Sequence, residues 1–155
     1  MKTTRISKQE IVQRPGDLQS KIYVVRSGLL RSYKIDSKGK EHIYLFAPEG
    51  WVIGDACSED EPCSLFIEAL EPSEVLILSK DISREQGNAQ SFIKRMKVLQ
   101  DRILMLMSAT ALERYEHFLE TYPNIVQRVP QRMIASYLGI TPEALSKIKS
   151  NRLKK

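Results

Sequence analysis

The stretch that most constrains this chain is residues 129–150, where two helical patterns meet at a glycine. Gly139 can adopt the positive φ that ends a helix. Thr141 and Pro142 are typical of a helix start, since threonine caps the first turn and proline suits the first helical position. Small Ala135 lets two helices cross closely. The spacing predicts a helix-turn-helix, with its apolar positions at Ile134, Leu138, Ile140, Leu145 and Ile148.

The outward face of the second predicted helix carries polar and charged side chains. Leu145 and Ile148 point inward, so residues at the intervening positions point outward. Such groups can hydrogen-bond to base edges or phosphates when a recognition helix enters the DNA major groove. A plain pair of packed helices has the same apolar spacing, and we favour DNA binding because of the outward face. Its residues are Glu143, Ser146, Lys147 and Ser150.

The positive charge of the chain is concentrated around this motif. The 155 residues carry a net charge of +5. Residues 124–155 contain seven basic residues and one acidic residue, a net +6, whereas the remainder sums to −1. A basic tail can be solvated surface, but its coincidence with the motif favours double-stranded DNA as the partner. The residues that we expect at the DNA are Gln131, Arg132, Thr141, Pro142, Glu143, Ser146, Lys147, Lys149, Ser150 and Arg152.

The first half of the chain has the pattern of a small β-sheet protein. Short β-rich runs alternate with turns between Gln9 and about Lys80. Glycines punctuate these runs, which is typical of a β-roll or jelly roll. The runs lie at 10–12, 21–28, 29–35, 41–47, 51–54, 64–70 and 74–79.

A long amphipathic helix is predicted after Asp81. Its apolar residues alternate at four- and three-residue spacing, which is typical of a coiled-coil seam. An internal core helix has the same pattern, but a dimer seam better explains so long an apolar helix between two small modules. Thr110 and Glu113 then form a capping box that starts a further helix ending at Tyr122. The seam residues are Phe92, Met96, Leu99, Ile103 and Leu106.

The predicted fold class is therefore α+β, in three parts. Residues 1–85 form a β-roll, residues 86–109 form a dimerisation helix, and residues 110–155 form the helix-turn-helix domain. The N-terminus lacks the apolar core of a signal peptide, and no stretch approaches the ~20 apolar residues of a membrane span. We expect a cytoplasmic homodimer without membrane contact.

Few residues could support catalysis or metal binding. His42 and His117 lie in different predicted elements, so they do not assemble a catalytic site, and we expect no enzyme activity. Cys57 and Cys63 could be a redox or metal pair. Two thiols without histidine do not complete a tetrahedral site, however. We expect ordinary loop thiols, with no metal and no cofactor.

The order of elements and several phrases resemble the Crp/Fnr-type transcription regulators, the family of the cyclic-AMP receptor protein. The phrases are IYVVRSGLLRSYKID, GKEHIYLFAPEGW, LERYEHFLETYP and VPQRMIASYLGITPEALSKI, the last being the most specific. The resemblance spans nearly the whole chain. It implies a cyclic-nucleotide-binding-like roll that senses a small-molecule effector, and a dimer that contacts DNA and RNA polymerase.

Two departures from the family pattern affect recognition. The family carries a glutamate on its recognition helix and an arginine four residues later, and both read base edges. The matching residues here are Glu143 and Lys147, and lysine lacks the rigid fork of arginine. The position before the glutamate, often arginine in relatives, is Pro142. We therefore expect a different preferred DNA sequence.

A further departure affects the ligand. Family members bind a cyclic nucleotide with a Gly-Glu pair and a downstream arginine that contacts the phosphate. Gly54 and Asp55 match the pair, but residues 55–69 contain no arginine. A buried phosphodiester without a cation is costly, so we expect no response to cyclic AMP. The effector pocket that we expect contains Gly54, Asp55, Cys63 and Ser64.

The sequence thus predicts a homodimeric, sequence-specific DNA-binding transcription regulator whose effector is unidentified. The alternative is a small-molecule-binding β-roll module whose basic C-terminal region contacts a protein partner or RNA. Mutations of the basic face that leave DNA affinity unchanged would favour the alternative.

Overall fold

The computed structural model describes residues 3–80 and 89–152, excepting the side chains of residues 89–92, 94 and 95. The chain divides into two compact units, Met1–Lys80 and Asp81–Lys155, each with its own architecture. Within the described residues, no helix combines the length and the apolarity that crossing a membrane requires.

The N-terminal unit is a roll of two antiparallel four-stranded sheets. The strand orders are β1-β8-β3-β6 and β2-β7-β4-β5, so the predicted β-roll is confirmed. The strands are β1 (Thr3–Ile6), β2 (Ile11–Gln13), β3 (Lys21–Ser27), β4 (Leu30–Ile35), β5 (Glu41–Ala47), β6 (Val52–Ile53), β7 (Phe66–Ala69) and β8 (Ser73–Ser79).

Alternating side chains from the two sheets form the core of the roll, as half-buried strands require. Val25 and Val75 lie on the paired strands β3 and β8, and both are fully buried. Leu30 and Ile67 lie on the paired strands β4 and β7 of the other sheet, and both are also fully buried. The apolar alternation that predicted the strands therefore also identifies the core.

Strand β1 is the element that the sequence pattern did not predict. It pairs along its whole length with β8, from Thr3 opposite Leu76 to Ile6 opposite Ser73. Ile6 is its single buried residue, so the strand has no apolar alternation to detect. The prediction that the strands begin near Gln9 was wrong, because this strand is specified by pairing rather than by its own sequence.

A buried arginine interrupts the apolar pattern of β4. The side chain of Arg31 is 5% exposed and lies 2.6 Å from Glu41 and 2.7 Å from Glu68. Burial opposes its charge, but the two carboxylates outweigh that effect and raise the pKa of Arg31. The guanidinium carbon also lies 4.0 Å from the centre of the Tyr33 ring. These partners allow a charge to be buried within a strand.

The C-terminal unit is helical. The capping box predicted at Thr110 and Glu113 is present and starts α2, which ends before Tyr122. Helices α2, α3 and α4 pack against one another around buried Phe118 and Leu145. The helices are α1 (Ala89–Ser108), α2 (Ala111–Thr121), α3 (Gln131–Leu138) and α4 (Pro142–Arg152).

Helix α1 exposes an apolar stripe that is rotated from the predicted seam. Met96 and Ile103 are 69% and 57% exposed, whereas Leu99 and Leu106 are half-buried. Leu106 is turned away because it lies beside the turn at Gly139. The side chain of Phe92 lies outside the described residues. The exposed stripe consists of Ile93, Met96, Ile103, Leu104 and Met107.

The predicted division of the chain into three parts, with the dimerisation helix as a part of its own, stays a prediction.

A first prediction concerns Gly28, between β3 and β4. Gly28→Ala should destabilise the roll by about 1–3 kcal/mol more than Gly16→Ala. Both glycines have φ close to +90°, so both variants suffer the same backbone strain. Only at Gly28 would the new Cβ clash, 2.2 Å from Ser73 Oγ and 2.7 Å from the Pro72 carbonyl oxygen. Urea unfolding measures the difference, and equal destabilisation would contradict the prediction.

Candidate functional site

The turn between α3 and α4 has the capping chemistry that the sequence predicted. Gly139 has φ +66°, and its N–H donates to the carbonyl groups of Ala135 and Ser136 at the end of α3. The hydroxyl of Thr141 accepts a hydrogen bond from the backbone N–H of Ala144 at 3.2 Å. The first helix therefore ends, and the second begins, within three residues.

The inward faces of the two helices are tightly buried. Ala135, Leu138 and Leu145 are each at most 1% exposed. Ala135 is small at the place where the sequence predicted a close crossing, and α3 and α4 are packed together. Since these positions fix which face of α4 is inward, they also fix which face meets solvent.

The outward face of α4 and the start of α3 present the residues predicted to contact DNA. Lys149 is half-buried, and the other nine are exposed. Within the described part of the chain, neither Arg132 nor Lys147 forms a salt bridge, so their charges face solvent. The exposed residues are Gln131, Arg132, Thr141, Pro142, Glu143, Ser146, Lys147, Ser150 and Arg152.

An arginine that sequence reasoning missed ties the helix-turn-helix to the end of α1. Arg114 donates to the carbonyl oxygens of Leu106 at 2.9 Å, Ala109 at 3.1 Å and Leu138 at 3.1 Å. Leu106 lies in the last turn of α1, Ala109 directly follows that helix, and Leu138 is the last residue of α3. Three carbonyl groups without helical partners therefore share one guanidinium. The signal is spatial, and nothing in the spacing of the sequence reveals it.

Arg102 makes a second link between the same helices. Its guanidinium donates to the backbone carbonyl oxygen of Tyr137 at 3.1 Å, and its Cζ atom lies 4.0 Å from the centre of the Tyr137 ring. Tyr137 in turn packs against Phe118 of α2, with ring centres 5.4 Å apart. Helices α1, α2 and α3 are thus held together by charged and aromatic contacts near the turn.

In the roll, the four residues predicted to line an effector pocket are neighbours. Asp55 Oδ2 accepts from the backbone N–H groups of Ser64 and Leu65 at 2.7 and 2.8 Å, and Oδ1 accepts from that of Ala56 at 2.7 Å. Longer contacts come from the Ser64 hydroxyl at 3.2 and 3.3 Å and from Gln13 at 3.4 Å. Burial alone would raise the pKa of the Asp55 carboxyl, but the hydrogen bonds from the backbone N–H groups outweigh burial and lower this pKa.

The other two pocket residues lie beside this carboxylate. Gly54 is buried, and a Cβ there would lie 3.0 Å from the Lys21 carbonyl oxygen, so the strand backbones approach closely. Cys63 is 4% exposed, and its sulfur lies 3.8 Å from that of Cys57. The sequence placed the two thiols in one loop but did not predict that they touch.

Lys80 supplies the cation of this loop. Its ammonium donates to the carbonyl oxygen of Asp55 at 2.8 Å and to that of Cys57, and it lies 4.0 Å from the Cys57 sulfur. The expectation that no cation lies near the pocket was based on residues 55–69 alone. It missed Lys80, which is distant along the chain. The charge of Lys80 is directed at loop carbonyl groups and a thiol.

Comparison with known proteins identifies the family. Residues 3–86, more than half of the chain, match the model of the cyclic nucleotide-binding domain. The chain belongs to this family. The fumarate and nitrate reduction regulatory protein of Yersinia pestis is 32% identical over 167 residues, covering 92% of this chain and 65% of that protein. The chain thus spans a little under two thirds of the length of this curated relative.

Solved structures show the same fold. FixK2 from Bradyrhizobium japonicum matches with a TM-score of 0.78 at 23% identity, covering 97% of this chain and 83% of that one. A CRP/FNR-family transcriptional regulator from Thermus thermophilus matches with a TM-score of 0.77 at 17% identity, covering 99% of this chain and 86% of that one. The resemblance to Crp/Fnr-type regulators is confirmed. The Yersinia pestis relative is a regulatory protein and the Thermus thermophilus neighbour is a transcriptional regulator, and proteins of this kind are not enzymes in general.

Proposed function

We propose that this protein is a homodimeric, sequence-specific DNA-binding transcription regulator of the Crp/Fnr type. The observation that carries the proposal is the exposed polar and basic face of α4, which follows a rigid left-handed turn. The net charge of +6 in residues 124–155 supports a polyanionic partner. Such a regulator acts in the cytoplasm with RNA polymerase, without enzyme activity, and answers to an effector that is still unidentified.

Two kinds of DNA contact are expected from the two helices. Glu143 and Lys147 are exposed one helical turn apart on α4, so both can reach base edges in the major groove. Arg132 is exposed in the first turn of α3, and Thr141 lies at the N-terminus of α4, where backbone N–H groups favour phosphates. Base contacts set the sequence preference, whereas phosphate contacts set the register and the salt dependence.

The second prediction separates these contacts. Lys147→Ala should cost about 1–3 kcal/mol on a duplex selected by this protein from a random library, and less on a scrambled duplex. Arg132→Ala should weaken both duplexes alike and lower the salt dependence by roughly one phosphate per subunit. Fluorescence anisotropy titrations at several salt concentrations measure both effects.

Lys38→Ala is the matched control for this experiment. It removes an exposed lysine from the turn between β4 and β5 in the other unit, so it changes the net charge equally without touching the helices. It should bind both duplexes as the wild type does. Equal losses from Lys147→Ala on both duplexes would contradict base reading by α4. If neither basic variant affected DNA binding, a protein or RNA partner would be favoured instead.

The exposed stripe of α1 supports self-association. Five large apolar side chains on one helix face meet solvent in the single chain, each at least 53% exposed. A contiguous exposed apolar surface of this kind marks an interaction site. A second copy can cover it across a two-fold axis, because each residue then meets its own symmetry-related partners. Dimerisation also places two copies of α4 at two half-sites of one duplex.

The third prediction tests this dimer. Ile103→Lys should yield a monomer in light scattering, because lysines from the two copies would face each other in an apolar contact. DNA affinity should fall with it, since one half-site is lost. Gln127→Lys adds the same charge at an exposed position outside α1 and should remain dimeric. An Ile103→Lys protein that stays dimeric at micromolar concentration would contradict dimerisation through the exposed stripe of α1.

The loop of the roll supports the proposal that cyclic AMP is not the effector. Three backbone N–H groups that could receive a phosphate are bound by the carboxylate of Asp55. A phosphodiester would have to displace that carboxylate and then lie beside it. Lys80 is a cation beside this loop, and its ammonium is engaged by loop carbonyl groups. Binding an anion here therefore means breaking several short hydrogen bonds.

The fourth prediction follows from these contacts. Isothermal titration calorimetry of the wild type with cyclic AMP should show no saturable binding below the millimolar range. The same preparation should bind its selected duplex, which controls for folding. Saturable micromolar binding of cyclic AMP would show that the Asp55 carboxylate yields its amides to a phosphate, and this part of the proposal would fail.

A further inference from the structure

Three side chains able to ligate a metal converge in the loop between β6 and β7. The ligand atoms of Asp55, Cys57 and Cys63 all lie within 4.8 Å of one another. Asp55 and Cys63 are buried, and Cys57 is half-buried. We infer that these residues bind one thiophilic divalent cation, of which Zn²⁺ is the representative. This site lies outside the DNA interface and does not depend on the proposed DNA binding.

The distance between the two sulfur atoms fits a shared metal ion. Sγ of Cys57 and Sγ of Cys63 are 3.8 Å apart. Two thiolates that each lie about 2.3 Å from one tetrahedral Zn²⁺ are separated by about 3.8 Å. A disulfide needs an S–S distance of about 2.05 Å, so both side chains would have to move before that bond formed. The thiols already have the separation that one bridging ion requires.

Asp55 adds the third ligand, which the spacing of the cysteines alone could not supply. Its three amide hydrogen bonds, at 2.7 to 2.8 Å, hold the carboxylate in one orientation. Oriented carboxylates of this kind are typical of metal sites. The Ser64 hydroxyl and the Gln13 amide approach at 3.2 to 3.4 Å, so a metal would displace these longer contacts first.

The charges around the loop balance when a divalent ion is present. Two thiolates and one carboxylate carry three negative charges, and the ammonium of Lys80 lies 4.0 Å from the sulfur of Cys57. Adding a divalent cation to these four groups gives a neutral cluster, which partial burial favours.

Three protein ligands leave one position of a tetrahedral ion open. That position is free for water or for a further ligand, as in zinc sites that exchange a bound molecule. A site with thiolate ligands is selective for soft or borderline ions over Mg²⁺ and Ca²⁺.

The test uses the full chain, reduced with a phosphine and stripped by a chelator, with Zn²⁺ alone as the probe. Competition with a chromophoric chelator should show about one tightly bound Zn²⁺ per chain. Co²⁺ in its place should give thiolate-to-metal charge-transfer absorption. Cys57→Ala and Cys63→Ala should each weaken Zn²⁺ binding by at least about tenfold and reduce that absorption. Asp60→Asn removes an exposed acid from the same loop and should bind as the wild type does.

Several results would overturn the inference. Folded wild-type chain that binds no stoichiometric Zn²⁺ excludes the site, and so does unchanged affinity in Cys57→Ala. Cys57 is half-buried, so this variant should fold, as circular dichroism without metal will check, even where Cys63→Ala does not. A reduced chain that ignores Zn²⁺ but loses both thiols to air oxidation would instead show a redox pair. All these measurements omit DNA, so failure of DNA recognition does not affect them.

Discussion

The backbone of Gly139 is left-handed, and the direction of α4 depends on it. A side chain costs about 1–2 kcal/mol in this conformation. A Cβ there would make only ordinary van der Waals contacts, at 3.5 Å with Leu106 and 3.6 Å with the guanidinium of Arg114, so the cost lies in the backbone conformation. Because Arg114 binds carbonyl groups at the ends of both α1 and α3, the turn is fixed from two sides. In the proposed DNA complex, an α4 held in this way would have little conformational freedom to lose on entering a groove.

The two units stabilise their irregular segments in the same manner with opposite charges. Asp55 accepts hydrogen bonds from backbone N–H groups of the roll, and Arg114 donates hydrogen bonds to backbone carbonyl groups of the helical unit. A buried backbone group without a partner costs about 1–3 kcal/mol, so one charged side chain that satisfies three of them stabilises its surroundings considerably. The same contacts hold each charged side chain in one orientation.

Features that depend on neighbours in sequence could be predicted, and features that depend on distant residues could not. The helix cap at Thr141 and the turn at Gly139 were predictable because capping is local. Strand β1 was not, because pairing with β8 specifies it. Arg114 and the contact between the cysteines were also missed, since their partners converge only in the fold. The apolar spacing correctly predicted that α1 is a helix. It did not predict which face of that helix is exposed, because contacts with α2 and with the Gly139 turn determine this.

The charge of the loop in the roll determines which sign of ligand the loop would favour. Residues 55–69 contain five acidic residues and no lysine or arginine. Glu59 is engaged by the backbone of Lys80 and lies 3.9 Å from Lys21, and Glu61 accepts from the backbone N–H of Ser58 at 2.9 Å. An incoming phosphate would meet a carboxylate already bound to the amides, whereas a divalent cation would be attracted by that carboxylate and by the two neighbouring thiolates. Under the inferred cation binding, the roll would keep its strands and its loop geometry while the chemistry of its ligand changed.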